Sequence, residues 1–330
     1  MTLRFGLLGA GRIGKVHAKA VTANPKAKLV AVADAMAPAA QAIADQYSCD
    51  VRTIAQILAA SDIDAVVICT PTDTHADLIE QFARVGKAVF CEKPVDLSID
   101  RVRDCIKVVA EEKATLMVGF NRRFDPDFMA LKKAIDDGAI GDVEMVTLTS
   151  RDPGAPPADY IKRSGGIFRD MTIHDFDVAR WLLGEEVTTV QAAGSVLTDP
   201  AIKALGDYDS VNVILTTVSG KQATINNSRR ATYGYDQRIE VHGSLGSVAA
   251  ENHRESRIEI ANASGYTRPP LLNFFMSRYA AAYANEIAAF VAAIANGTPT
   301  PTTGFDGLKA LELADAALKS VETGQAIKIG

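Results

Sequence analysis

Three glycines near the start of the chain constrain it more than any other feature. They stand in Gly9-Ala10-Gly11-Arg12-Ile13-Gly14, directly after the largely apolar run Leu3-Arg4-Phe5-Gly6-Leu7-Leu8. Between a strand and a helix, G-x-G-x-x-G is a dinucleotide-binding turn. Its first glycine permits the tight turn, its second lets backbone approach a pyrophosphate, and its third lets helix pack on strand. The helix start adds amide donors and a positive dipole end. Gly9, Gly11, Arg12, Ile13 and Gly14 are therefore expected at the phosphates. Asp34 ends the next apolar run, Leu29-Val30-Ala31-Val32-Ala33, where this motif calls for an acid. Its carboxylate accepts from ribose hydroxyls and repels a 2′-phosphate. Ala35-Met36-Ala37 bring no arginine to hold that phosphate, so NAD is the expected cofactor.

The surrounding grammar predicts an α/β chain. Near-continuous apolar runs at 3–8, 28–33, 65–69, 88–91 and 116–118 alternate with helical patterns at 13–24, 37–47, 74–85 and 98–112. Strands buried on both faces read this way, and the alternation predicts a parallel, doubly wound Rossmann sheet. Ser98 is placed to cap the fourth helix and Gly86 to end the third. After Gly119 the period changes to two, at 143–149, 211–218, 222–226 and 238–242. That predicts a C-terminal α+β domain with a large, mostly antiparallel open sheet. Helices are expected at 126–137, 171–183 (ended by Gly184), 280–295 and 307–322, with loops at 153–157 and 298–303. The expected domains are 1–120, binding NAD, and 121–330, binding substrate and supporting oligomerisation.

Composition removes other classes. A net charge of -5 over 330 residues leaves no basic footprint for nucleic acid. No apolar stretch nears the roughly 20 residues of a membrane span, and no secretory leader is visible. A soluble, cytoplasmic protein is expected. The four cysteines, Cys49, Cys69, Cys91 and Cys105, form no C-x-x-C pair and read as buried free thiols. No metal is expected from them, nor from Asp170, His174 and Asp177, which lack a further His or Cys nearby.

Three further segments carry chemistry. Cys69-Thr70-Pro71-Thr72-Asp73-Thr74-His75 and Phe90-Cys91-Glu92-Lys93-Pro94 each end a strand on the ligand edge of the first sheet. Gly165-Gly166-Ile167-Phe168-Arg169-Asp170-Met171-Thr172-Ile173-His174-Asp175 opens a helix in the second domain. Together, E-K-P after a Rossmann strand and D-x-x-x-H opening a helix resemble the Gfo/Idh/MocA family of sugar and polyol dehydrogenases. Gly119-Phe120-Asn121-Arg122-Arg123-Phe124 and Tyr233-Gly234-Tyr235-Asp236 are similar to its inositol-oxidising branch.

The resemblance implies roles. Lys93 matches the family lysine that holds the reacting hydroxyl and stabilises alkoxide-like charge. His174 matches the general base. Asp170, four residues earlier, orients substrate and supports the imidazolium. These three form the expected catalytic set. Thr70, Thr74, His75, Glu92, Lys93 and Arg122 join the glycines and Asp34 as expected cofactor contacts. Lys93, Arg122, Asp152, Asp170, Met171, His174 and Tyr235 are the expected substrate contacts. Arg122 has a structural alternative as an ion pair, and Tyr235 as a packed strand aromatic. His17, His242 and His253 have no motif around them and read as surface or core residues. Many family members have a cis bond at the proline after the lysine.

The implied reaction is NAD-dependent oxidation of myo-inositol at C2 to 2-keto-myo-inositol. The same chemistry on scyllo-inositol, glucose or another pyranose is the near alternative. A non-catalytic NAD-binding sensor is the alternative of another class. Arg151-Asp152 follows a serine rather than the histidine of better-known relatives, which leaves the isomer open. The family habit implies a homotetramer.

Overall fold

The computed structural model describes residues 2–330. Its first sheet has six strands: β1 (Leu3–Leu8), β2 (Ala27–Ala33), β3 (Asp50–Val51), β4 (Ala65–Ile68), β5 (Ala88–Glu92) and β6 (Leu116–Gly119). Their order is β3-β2-β1-β4-β5-β6, and every neighbouring pair is parallel. The order reverses between β1 and β4, so a ligand crevice belongs beyond the carboxyl ends of these strands. Every residue of β4 and β5 is buried, as the continuous apolar runs predicted.

The helices Arg12–Ala23, Ala37–Tyr47, His75–Arg84 and Ile99–Glu111 lie within a residue or so of their expected spans. Ser98 Oγ accepts from the Arg101 amide at 3.4 Å. Gly86 takes φ 72° just past its helix. Strand β3 and the helix Ile54–Ala59 were not expected. Two exposed residues carry no periodicity, and the short helix announces itself only by its capping box of Thr53 and Gln56. Cys69, Cys91 and Cys105 are buried, Cys49 is half-buried, and all four are free. Burial pushes the Cys105 thiol up to about 12.

Packing divides the chain differently from the expected boundary at 120/121. One compact unit runs to Phe124 and takes back Ala280–Leu311; the other is Asp125–Tyr279 with Glu312–Gly330. The reason is the helix Ala280–Asn296. Its Ile287, Phe290 and Val291 belong to the same buried core as Phe5 and Phe90. The Phe290 ring meets Phe5 at 6.2 Å and Phe90 at 5.8 Å. The expected loop at 298–303 covers the edge of β6. Val118 N donates to the Thr302 carbonyl, and Thr300 and Thr302 hydroxyls donate to the carbonyls of Leu116 and Val118. An edge paired in this way offers no free ladder.

The second unit is built on β7 (Val143–Arg151), β8 (Val187–Ser195), β9 (Ser210–Thr217), β10 (Gln222–Ser228), β11 (Asp236–Gly243) and β12 (Gly246–Ala250). A small hairpin, β13 (Ile260–Asn262) and β14 (Gly265–Thr267), stands apart, and β15 (Ile327–Lys328) closes the large sheet's far edge. The order is β12-β11-β7-β10-β9-β8-β15. Only β7 and β10 pair in parallel; the other pairings are antiparallel. Val211, Val213 and Leu215 are buried while Asn212 and Ile214 face outward, which is the expected alternation. The helix Ile173–Leu183 packs on β7 and β10 and ends at Gly184, φ 65°. Strand β8 escaped the sequence reading because its register shifts between Val187 and Thr189. The shift places buried Val187 and Val190 three apart and breaks the period of two. Among the described residues, no helix is long and apolar enough to cross a membrane.

Candidate active site

The glycine turn shows three different physical demands. Gly9 has φ 97°, and a β-carbon there would lie 2.5 Å from the Cys69 carbonyl oxygen. A β-carbon at Gly14 would lie 2.0 Å from the Gly9 carbonyl oxygen. The fold itself therefore requires both. Gly11 is different: a β-carbon there would have no heavy atom of the described residues within 4 Å. That open space suits an approaching pyrophosphate. Exposed Arg12 and half-buried Ile13 begin the helix, which has no side-chain cap and no acid in its first turn. Asp34 Oδ2 accepts from the Ala10 amide at 2.5 Å, and Oδ1 from the Met36 amide at 2.7 Å. The carboxylate thereby ties the glycine turn to the end of β2. The open glycine, the uncapped helix start and the placed carboxylate fit NAD.

At the ends of β4 and β5, Thr70 Oγ1 and Thr74 Oγ1 lie 2.6 Å apart. His75 is buried, with Nδ1 2.8 Å from the Pro94 carbonyl and Nε2 2.8 Å from the Thr70 carbonyl. Lys93 is half-buried, and the Lys93–Pro94 bond is cis. Arg122 is buried in the short turn Asn121–Phe124 that follows β6. Glu92 is buried against His17, with Nε2 of the ring 2.6 Å from Glu92 Oε1. Glu286, fully buried, joins them. Ligand-type atoms of His17, Glu92 and Glu286 all lie within 4.8 Å of one another. His17 is thus a core residue. Its signal was in the sequence: Gly14, His17, Ala18 and Val21 form the buried face of one helix.

In the second unit, Asp170 lies in a π-helical turn, Phe168–Thr172, that leads into the helix carrying His174. The helix expected to start at 171 therefore begins with a widened turn, a feature frequent at functional sites. Asp170 Oδ1 accepts from the Tyr160 hydroxyl at 2.8 Å. His174 is flanked by two anchors. Thr172 Oγ1 donates to Asn227 Oδ1 at 2.6 Å. Asp175, 1% exposed, accepts from Ser150 Oγ at 2.6 Å and from Asn227 Nδ2 at 2.9 Å. These buried bonds pin the helix to β7 and β10 on either side of the imidazole. Met171 is buried. Asp152 is half-buried at the end of β7, its amide donating to the Ser228 carbonyl. Tyr235 is buried and stacks edge-on against Tyr279 at 6.0 Å. It stands just before β11. His253 pairs with Asp127, and His242 is half exposed on β11.

Arg229 is the residue the sequence reading missed. Its side chain is 1% exposed, with Nη1 3.5 Å from Asp170 Oδ2 and Nη2 3.6 Å from Asp207 Oδ2. Asp207 in turn accepts from the Ile167 amide. Arg229-Arg230 looks like a solvated pair, yet Arg229 continues the buried phase of Ala223, Ile225 and Asn227.

The first unit thus presents a dinucleotide turn and a lysine; the second presents a carboxylate and an imidazole held by buried bonds. A family model described as an oxidoreductase family, NAD-binding Rossmann fold, matches residues 3–120. A second, the GFO/IDH/MocA C-terminal domain, matches residues 128–249. The chain is 71% identical to an inositol 2-dehydrogenase of Rhizobium meliloti, covering 100% of both chains. A crystal structure of a myo-inositol dehydrogenase from Corynebacterium glutamicum superposes with TM-score 0.97 at 42% identity, covering 100% of this chain and 99% of that one. A scyllo-inositol dehydrogenase from Lactobacillus casei, solved with bound NAD(H) and scyllo-inositol, gives 0.93 at 30% identity, covering 99% of each.

Proposed function

Because this chain belongs to the GFO/IDH/MocA family of NAD-binding oxidoreductases, we propose that it oxidises myo-inositol at C2 to 2-keto-myo-inositol. The observation that carries this reading is full-length 71% identity to an inositol 2-dehydrogenase, in a chain that keeps Lys93, Asp170 and His174. NAD, when bound, supplies the hydride acceptor. Gly9, Gly11, Gly14 and the helix start would hold its phosphates, and Asp34 its ribose.

The chain's own residues then have defined work. Oxidation removes a hydride from the ring carbon and a proton from its hydroxyl. His174 takes that proton, as an imidazole can near neutral pH. Lys93 stabilises the negative charge that develops on the oxygen. Asp170 orients the substrate and supports the imidazolium. Arg229 and Tyr160 hold Asp170, so its carboxylate is directed by two partners. Substrate recognition is assigned to Arg122 of the first unit and to Asp152, Met171 and Tyr235 of the second.

The structural likeness to a scyllo-inositol dehydrogenase keeps that isomer as the second reading. Initial rates of NADH formation over myo-inositol, scyllo-inositol and glucose separate the two. The highest kcat/KM is expected on myo-inositol, and Lys93→Ala is expected to abolish turnover. NAD binding without turnover on any polyol would instead favour a sensor. We also propose a homotetramer, supported by the outward Asn212 and Ile214 of β9 and Thr224 of β10 on the sheet face opposite their buried neighbours. Light scattering tests it.

A further inference from the structure

His75 opens the helix His75–Arg84 just beyond the turn that follows β4. Its ring is 2% exposed, and each nitrogen faces one backbone carbonyl at 2.8 Å: Nδ1 that of Pro94, Nε2 that of Thr70. Carbonyl oxygens only accept. A neutral imidazole has one N–H and one lone pair, so it serves one carbonyl and turns a lone pair on the other. In either tautomer the ring donates to one turn while its other edge is confined against the second, so the two turns are held at a fixed separation.

The two carbonyls belong to the two turns that form the ligand edge of the first sheet. Thr70 begins the turn after β4, where its hydroxyl also meets that of Thr74. Pro94 directly follows Lys93 in the turn after β5. One ring therefore ties both turns together, and it does so next to the lysine.

We infer that His75 is a positioning residue: its buried ring, held between the Pro94 and Thr70 carbonyls, locks the Lys93-Pro94 turn to the Thr70 turn and so fixes the lysine. The catalytic consequence rests on the role proposed for Lys93; the placement of the ring does not. This is a different role from the direct cofactor contact expected of His75 from sequence.

The first test is spectroscopic. Full-length protein labelled with 15N-histidine has five histidines to resolve, with His75→Asn as the assignment control. A His75 ring N–H hydrogen-bonded and protected from solvent exchange is expected, as a ring held between two turns requires. A His75 ring N–H in fast exchange with solvent would overturn the inference. The second test is kinetic. His75→Gln keeps a donor but loses the ring that spans the two turns, and is expected to lower kcat about tenfold while the Kd for NAD holds within about threefold. Lost NAD affinity with unchanged kcat would refute positioning. If the wild type oxidises no polyol, the functional reading fails, and the 15N spectrum still decides the hydrogen bonds.

Discussion

Glu286 Oε1 lies 4.0 Å from His17 Nε2 in the core of the first unit, and both side chains are fully buried. His17 is already engaged by Glu92 at 2.6 Å. Neither oxygen of Glu286 has a hydrogen-bond partner among the described residues. Burial first, and then the charge of Glu92, push the Glu286 carboxyl well above the usual carboxylate range.

The sign of the resulting pH dependence follows directly. Below about pH 4.3, the unfolded glutamate value, both states hold the proton. As pH rises, the unfolded chain releases it first and the folded chain keeps it. Stability is therefore full at low pH and is lost as pH climbs toward the raised folded value, by up to about 1.4 kcal/mol per pH unit for one proton. Urea midpoints measured from pH 5 to 8 are expected to fall in the wild type from this source. Glu286→Gln, neutral and nearly isosteric, is expected to flatten that slope.

Gly11 and Gly14 should separate binding from folding. Gly11→Ala places a methyl in open space, so the ligand-free Tm is expected to hold within about 2 °C while NAD affinity falls at least about tenfold. Gly14→Ala forces a methyl onto the Gly9 carbonyl and is expected to lower Tm by several degrees as well, at roughly 1–3 kcal/mol for overpacking. Differential scanning calorimetry with and without NAD reads both.

Asp34→Ser removes the acceptor of two backbone amides, Ala10 and Met36, along with the acid that disfavours a 2′-phosphate. The KM for NAD is expected to rise about tenfold or more, and turnover with NADP to become measurable. Paired initial-rate measurements with the two cofactors decide it. An unchanged cofactor ratio would remove Asp34 from the role of selector.

Arg229→Met leaves Asp170 and Asp207 facing each other's charge without the cation between them. Removing one partner of a buried charge cluster costs roughly 3–5 kcal/mol. Urea denaturation is expected to show that loss, and adding Asp207→Asn to recover part of it. Turnover should fall in both variants, because Asp170 loses a partner in each.

The first sheet was legible almost strand for strand. A strand buried on both faces must be apolar throughout, and a dinucleotide turn must place glycine where a β-carbon would meet backbone. Gly9, Gly14 and Asp34 are local requirements, so local sequence displays them. The spacing of Asp170 and His174 was readable for the same reason, because both lie within one segment. The π-helical turn between them was not, because one widened turn leaves no periodic trace. Strand β8 was missed because its bulge replaces a period of two with a spacing of three.

What the sequence by itself determined is a set of local features: a dinucleotide turn with an acid suited to NAD, a lysine after a Rossmann strand, and an aspartate and histidine four apart. The tertiary structure alone decided which groups are buried together. It returned the helix Ala280–Asn296 to the first unit's core and brought Glu286 to His17. It set Arg229 against Asp170 and placed both nitrogens of His75 on carbonyls. Most of those relationships join residues far apart in the chain. The free energy that forms them comes from burial of apolar surface around them, which a linear pattern registers only as phase: His17 on a helix's buried face, Arg229 in step with a strand's.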